Sequence, residues 1–440
     1  EIIVINIKMI NFKDLKKIYK IFKDVNITDI ISFIEKNPKL LSSLGKQKHT
    51  EANYDSDFYK IFNNLSKEDN DLRLKVRAFM EKDVKPIINY YWYIDEFPHK
   101  LIPKIRKLDI CGLSYKGYGC QNKSSLSEGV VAAELSRIDP SLSTFIGVHS
   151  GLAMGSIYLC GSEEQKQYWL PKMRRMEVLG SFGLTEPLVG SAVAGGLTTT
   201  CERKGDKWVL NGQKKWIGNS TFSDITIIWA RDVSNNQVKG FIVEKENVGF
   251  SVEKIEGKIS LKIVQNGLIT LDNCIVEEKN RLQNANSFKD TSRVLKMTRA
   301  GVAWQSVGLS MGAYEATVKY CNSRKQFGKT IDSFQLTQSH LANMLGDLTA
   351  MQNMVYQLSI LQDIGQMKDE QASLAKVWIT KAMRRLVSTG RELFGGNGIL
   401  LEYDIAKYMA DAEALYSYEG TAQINELIVG RSITGKQAFI

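Results

Sequence analysis

Histidine is scarce in this chain, with four residues in 440, at positions 49, 99, 149 and 340. So few and so scattered imidazoles leave little from which to build a zinc or non-haem iron centre. Six cysteines, at 111, 120, 160, 201, 274 and 321, show neither Cys-x-x-Cys spacing nor a clustered framework. That argues against a thiol redox motif or a disulfide scaffold and reads as reduced thiols in an intracellular compartment. Apolar runs such as Ile225 to Ala230 fall far short of the roughly twenty residues a spanning helix needs, so no integral membrane segment is expected. The net charge is +10, yet there is no arginine-rich tract and no basic stripe interleaved with aromatics. Nucleic acid is therefore not the expected partner. A lysine-rich composition is the preferred explanation of the charge, with a polyanionic ligand as the other. No Gly-x-Gly-x-x-Gly follows an expected strand, which removes the Rossmann fingerprint.

With 43% apolar residues the chain can bury a sizeable core in two or three domains. Residues 8 to 36 read as a helix of modest amphipathicity, and Gln47 to Asp57 as a polar linker. From Glu68 to about Glu177 apolar residues recur at three and four spacing, in Leu72 to Ile88 and Ser127 to Ser136, broken at Pro86, Pro98, Pro103 and the Gly117 to Gly119 loop. Between Leu179 and Leu282 the pattern shortens to β-branched and aromatic runs, Trp208 to Leu210, Ile225 to Trp229, Gly240 to Val243 and Leu268 to Leu271. Turns at Asn211-Gly212, Asn235-Asn236 and Asp272-Asn273 would separate them in an antiparallel barrel or sandwich. Long helical segments follow near 293 to 324, 333 to 363, 368 to 394 and 404 to 435, lengths that suit an antiparallel four-helix bundle. The expected fold class is α+β multidomain: an extension over 1–57, an α-helical domain over 58–177, a β domain over 178–285 and an α-helical bundle over 286–440.

Glu419 lies in Tyr418-Glu-Gly-Thr421, where one helical segment ends and the next opens, among Leu415, Tyr416 and Tyr418. Apolar surroundings raise a carboxyl pKa, as a general base for a weakly acidic C–H requires. A Glu near a helix start is also favoured by the macrodipole with no catalytic role. What separates these readings is the order of the other motifs: Phe182-Gly-Leu-Thr-Glu-Pro187, Lys215-Trp-Ile-Gly-Asn-Ser220, Arg324-Lys-Gln-Phe-Gly328, and the Gly395 to Gly398 turn. In this order they closely resemble the acyl-CoA dehydrogenase and acyl-CoA oxidase superfamily of flavoproteins, from about Leu72 to the C-terminus. Lys116-Gly-Tyr-Gly-Cys120, Gly161-Ser-Glu-Glu-Gln165 and the closing Gly430-Arg431, Thr434-Gly435 and Ala438-Phe439 look most like the branch of glutaryl-CoA dehydrogenase and the plant short-chain acyl-CoA oxidases.

The resemblance implies FAD as cofactor, an acyl-CoA substrate, Glu419 as the base, an electron-transferring flavoprotein as acceptor and a homotetramer built as a dimer of dimers. It places cofactor contacts at Phe182, Leu184, Thr185, Trp216, Ile217, Gly218 and Ser220, and at Arg324, Phe327 and Gln335 reaching FAD from a neighbouring subunit. Glu392, Gly395, Gly396, Thr421 and Gln423 complete that set, and Ser143, Ser191, Thr298, Arg299, Tyr418, Gly420 and Arg431 form the substrate set. Plainer roles stand beside these: an N-cap for Thr421, a solvated Gln423, a buried barrel tryptophan for Trp216, a surface salt bridge for Arg299. The chain departs from the family pattern at three places. Leu188-Val189 and Ala192 replace more polar residues around Ser191, Gly218 stands where most dehydrogenases carry Thr, and Ser143 stands where glutaryl-CoA dehydrogenase has its carboxylate-binding Arg. Gly218 brings in an oxidase as the alternative activity, and the altered loop with the long extension brings in a non-catalytic subunit of a larger assembly. The implied compartment is the mitochondrial matrix, with the peroxisome as alternative. The first residues lack the Arg and Ser enrichment of a transit peptide, and Ala438-Phe439-Ile440 is not a peroxisomal tripeptide.

Overall fold

Helix α1 (Lys67–Phe79) begins where the Ser66 hydroxyl accepts from the Asp69 amide at 3.1 Å, and similar caps start most of the first domain's helices. The computed structural model describes residues 55–437; the helix expected over 8 to 36, most of the linker and Ala438-Phe439 lie outside them. The break expected at Pro86 is corrected, since α1 runs through π-helical turns over Met80–Val84 straight into α2 (Lys85–Ile94), with Pro86 just past them. Pro103 sits in the first turn of α3 (Ile102–Arg106), where a missing N–H is harmless. Ser124 caps α4 (Ser125–Ile138), and Asp139 with Pro140 starts α5 (Pro140–Ile146). The helix continues through π-helical turns over Gly147–Met154 into α6 (Gly155–Cys160). This run, Pro140–Cys160, is apolar and long enough to cross a bilayer by composition, but it is 72% buried inside the protein and serves as a core helix. Ser162 and Gln165 form a capping box for α7 (Glu163–Arg174), and Gln165 Nε2 also donates to the Lys279 and Arg281 carbonyls of the β domain.

The middle domain has strands β1 (Gly180–Gly183), β2 (Thr200–Lys204), β3 (Lys207–Gly218), β4 (Ile225–Asp232), β5 (Val238–Glu244), β6 (Phe250–Lys254) and β7 (Asn266–Glu277), with a short helix α8 (Val193–Gly196) between β1 and β2. They join in the order β1-β4-β2-β3-β7-β6, with β5 on β4. The antiparallel reading holds for β2–β3, β3–β7, β4–β5 and β6–β7, whereas β1 and β2 each run parallel to β4. Two expected turns are corrected. Asn211-Gly212 and Asp272-Asn273 lie inside β3 and β7, facing one another across a register shift between Leu210 and Gly212. Asn211 Oδ1 accepts from the Asn273 amide at 2.7 Å, and Gly212 takes a φ of +140° with Thr199 close against it. Asn and Gly carry a bulge here, using the same tolerance of left-handed backbone that makes them turn residues. Asn235-Asn236 is a true turn between β4 and β5.

The last domain holds α9 (Phe288–Ser323), a two-strand hairpin of β8 (Lys325–Gln326) and β9 (Lys329–Thr330), α10 (Gln335–Asp363), α11 (Asp369–Leu393), α12 (Ile405–Ser417) and α13 (Ala422–Thr434). The single helix expected over 404 to 435 is thus two, split at Tyr418 to Thr421. α9 lies tightly against α4: a Cβ at Gly308 would fall 2.2 Å from the Ala133 carbonyl oxygen. Asp411 of α12 joins all three domains, accepting from Trp92 Nε1 of α2 at 3.0 Å and from the Leu261 amide of the β domain at 2.6 Å.

Candidate active site

Glu419 stands on a break between two helices, with φ 56°, followed by Gly420 at φ 87°. Left-handed backbone is strained for a glutamate, and such strain is held only where the surroundings fix it. The clamp is Lys376 of α11, buried, whose Nζ donates to the Tyr416 carbonyl at 2.9 Å and the Gly420 carbonyl at 2.7 Å. Thr421 Oγ1 accepts from the Ile424 amide at 3.3 Å, so it is the N-cap of α13 as well as a wall of the site. Burial raises the Glu419 pKa, opposed by the Thr298 hydroxyl 3.1 Å from Oε2 and by the charges of Arg299 and Lys376, and the net shift is upward. Burial pulls Lys376 down to about 8 against the attraction of Glu419. The part of Glu419 that is accessible faces internal cavities, which is why it is partly exposed by area yet poorly solvated.

Two cavities meet at this carboxylate. The larger, about 820 Å³, runs between the β domain and the last domain, past Leu184, Thr185, Trp216, Gly218, Arg299 and Thr421. The smaller, about 110 Å³, lies between α4 and α9 and includes Ser143, Thr298 and Gln305. Tyr418 lines both; its hydroxyl donates to Gln305 Oε1 at 2.5 Å and lies 3.3 Å from Thr144 Oγ1. The π-helical turns supply Val148 and Leu152 to both walls, an irregularity of the kind that gathers at functional sites.

The larger cleft suits a flat, polar-edged ring. Lys214 Nζ donates to the Leu184 carbonyl at 3.1 Å from the buried side. Because a trans peptide sets C=O and N–H on opposite sides, the Thr185 N–H points the other way, to the cleft that Leu184 and Thr185 line. Lys214 is itself paired with Glu186 at 2.8 Å, both buried, and Glu186 takes the Thr198 and Thr199 amides at 2.6 and 2.9 Å. Burial would raise Glu186, but the Lys214 charge and these hydrogen bonds outweigh it and hold the carboxyl at about 2. Trp216 is not the buried barrel tryptophan of the plainer reading: it is 53% exposed, at φ 67°, with its ring on the cleft.

Of the expected site residues, Phe182, Leu184, Thr185, Ser191, Trp216, Ile217, Gly218, Arg299, Tyr418, Glu419, Gly420 and Thr421 line the larger cleft, and Ser143 and Thr298 the smaller. Arg299 also pairs with Asp369 at the start of α11, so the salt bridge of the plainer reading is present in a residue that lines the cleft. Ser220 is buried beneath β3, its hydroxyl donating to the Ile217 carbonyl at 2.7 Å. Arg324, Phe327, Gln335, Glu392, Gly395, Gly396, Gln423 and Arg431 line neither cavity of this chain. Phe327 is 90% exposed on the β8–β9 hairpin, as a residue facing outward from its own subunit would be. Lys376, Lys214 and Gln305 escape a reading of the sequence, and Glu186 enters it only as part of the Phe182 to Pro187 motif; a lysine's burial leaves no trace in a lysine-rich chain.

A desolvated carboxylate where a small pocket meets a broad cleft offers a proton acceptor beside room for a flat ring, an arrangement that suits a flavin-dependent dehydrogenating enzyme. Three family models match in order: acyl-CoA dehydrogenase N-terminal domain over 66–177, middle domain over 181–274 and C-terminal domain over 288–434. The chain is 32% identical over 369 residues to an acyl-CoA dehydrogenase of Bacillus subtilis, covering 83% of this chain and 97% of that one. It is 30% identical to a caffeyl-CoA reductase-Etf complex subunit of Acetobacterium woodii, covering 84% and 100%. A glutaryl-CoA dehydrogenase of Mycobacterium smegmatis in complex with FADH2 superposes with a TM-score of 0.84 at 32% identity, covering 87% and 98%. The chain belongs to the acyl-CoA dehydrogenase family, an FAD-dependent family of enzymes.

Proposed function

We propose that this enzyme introduces a trans-2,3 double bond into a short or branched monocarboxylic acyl-CoA and passes the electrons to an electron-transferring flavoprotein. The observation that carries the reading is Glu419 at the junction of the two cavities, a desolvated carboxylate facing both. Bound FAD supplies the hydride acceptor for the β-carbon. Glu419 takes the α-proton, and its raised pKa brings it closer to that weak acid. Thr298 holds the carboxylate toward the pocket, and Gly420 leaves room for the thioester. The Thr185 amide, Trp216 and Gly218 supply a donor, a flat wall and an open edge to the cleft. A pocket of about 110 Å³ favours short acyl groups. Ser143 donates to the Ala132 carbonyl at 3.0 Å and brings no cation, which disfavours a decarboxylating reaction on glutaryl-CoA.

The acceptor reading is supported by the relative named as part of an Etf complex. Gly218 favours a second reading, a short-chain oxidase, because it leaves the cleft edge beside Val148 and Val264 without a hydroxyl. Anaerobic titration with butyryl-CoA should bleach the flavin, and air should reoxidise it slowly. A Gly218→Thr variant should be slower still, its Cβ alone meeting Val264 at 3.3 Å and Val148 at 3.4 Å. Stoichiometric hydrogen peroxide at the rate of turnover would reverse the order of the two enzymes.

A homotetramer is proposed for the assembly, with the outward Arg324 segment completing a neighbour's FAD site. Arg324→Ala should lose flavin absorbance and elute smaller on gel filtration, since alanine cannot replace a guanidinium fork on phosphate. A variant that stays large and fully yellow removes this role.

A further inference from the structure

The smaller pocket has a far end that the chemistry at Glu419 does not reach. Thr144, Val148, Leu152, Tyr418 and Glu419 line both cavities and mark its mouth, whereas Ser125, Glu128, Trp304, Ser359 and Gln362 line the pocket alone. The wall between is α4. Ser143 bonds the Ala132 carbonyl, and Glu128 lies one helical turn nearer the start of α4, about 6 Å further along. Trp304 closes one side: its ring packs over Gly129, where a Cβ would fall 2.2 Å from Nε1, and its N–H donates to Ser359 Oγ at 2.9 Å. Beyond its mouth the pocket thus holds a carboxyl group, on a lining it shares with the Ser125 and Ser359 hydroxyls and the Gln362 amide.

That carboxyl has no cation to balance it. Burial raises its pKa, the Ser114 hydroxyl opposes this, and Asp363, another carboxylate, pushes it further up. Charged or neutral, Glu128 accepts a hydrogen bond from a donor placed at the pocket's end. In neither form does it welcome a second carboxylate, which would be desolvated beside it unpaired. We propose that Glu128 reads the distal end of the acyl chain, selecting acyl-CoA substrates that carry a hydroxyl or amine there over their unsubstituted counterparts and excluding those that end in a carboxylate. The inference rests on the acyl-CoA reading of this pocket and adds the substrate class to it.

The test compares kcat/KM, with a dye as acceptor, for ω-hydroxybutyryl-CoA and ω-hydroxyvaleryl-CoA against butyryl-CoA and valeryl-CoA, with glutaryl-CoA as the acidic probe. The wild-type enzyme should prefer one of the hydroxylated chains. Glu128→Gln, which keeps the volume and an acceptor, should retain most of that preference and turn over glutaryl-CoA several-fold better. Glu128→Leu should shift the hydroxylated-to-unsubstituted ratio by roughly tenfold or more toward the unsubstituted chain, the worth of one hydrogen bond to a carboxylate. A ratio unchanged in both variants while butyryl-CoA still bleaches the flavin overturns the role of Glu128 and leaves the acyl-CoA reading intact. If no acyl-CoA bleaches the flavin in any of the three proteins, the acyl-CoA reading fails and this inference with it.

Discussion

Glu419→Gln should bind FAD and acyl-CoA as the parent does and yet fail to reduce the flavin. The amide keeps the shape of the side chain and the approach of Thr298, and removes only the ability to take a proton. Loss of a positioned base lowers the rate on the order of a hundred- to ten-thousand-fold. A pH profile gives the result its signature. Because burial raises the Glu419 pKa from its ordinary value, the parent's rate of flavin reduction should climb with pH through a value above that of a free glutamate and then level off. The residual rate of the variant should show no such step. Single-turnover bleaching near the parent rate would move the base elsewhere.

Lys214→Met should cause a large loss of stability without touching the reacting atoms. It leaves Glu186 buried beside no cation, and breaking such a pair costs about 3–5 kcal/mol. The hydrogen bonds from Thr198 and Thr199 keep the expected value toward the lower end. The pH dependence has a definite sign. In the parent, Glu186 at about 2 lies below its ordinary 4.5, so its contribution is complete above 4.5 and fades as pH falls toward 2. In the variant burial prevails and the Glu186 pKa rises, so the deficit is greatest near neutrality and shrinks in acid. Chemical denaturation at several pH values measures both. Flavin content should fall as well, since the Leu184 carbonyl loses its buried donor and the Thr185 amide its fixed direction.

Much of the site is legible in the sequence because its local signals are short and dense. Tyr418 to Thr421 marks a helix break, and a carboxylate on such a break among aromatics has few neighbours with which to pair. Phe182 to Thr185 and Trp216 to Gly218 are contiguous, so finding one residue finds the group. The helical domains are legible because their three-and-four spacing runs over many turns. What cannot be read depends on partners distant in sequence. Lys376 and Lys214 look like any other lysine until their carbonyl and carboxylate partners are known. Asn211-Gly212 has a turn's composition, and only its pairing against Asp272-Asn273 makes it a bulge. The break between α12 and α13 is marked at Glu419 but vanishes into one helix when lengths are counted, since Thr421 caps the second helix with no proline or glycine run to announce it. Arg324 and its companions share a motif order with Glu419, yet they lie on other surfaces of the chain.

The walls around Glu419 come from all three domains: Thr144 from the first, Trp216 and Gly218 from the second, and Glu419 itself from the break between α12 and α13. The order of synthesis follows from this. A growing polypeptide can form the first helices, close the β sheet and pack α9 on α4 well before residue 419 leaves the ribosome, because domains fold as units from the amino end. The proposed proton acceptor is added after these, and α11 must be in place beforehand to offer Lys376 to the carbonyls that flank it. A chain that has not yet reached Glu419 therefore lacks the proposed base, however well its earlier domains have folded.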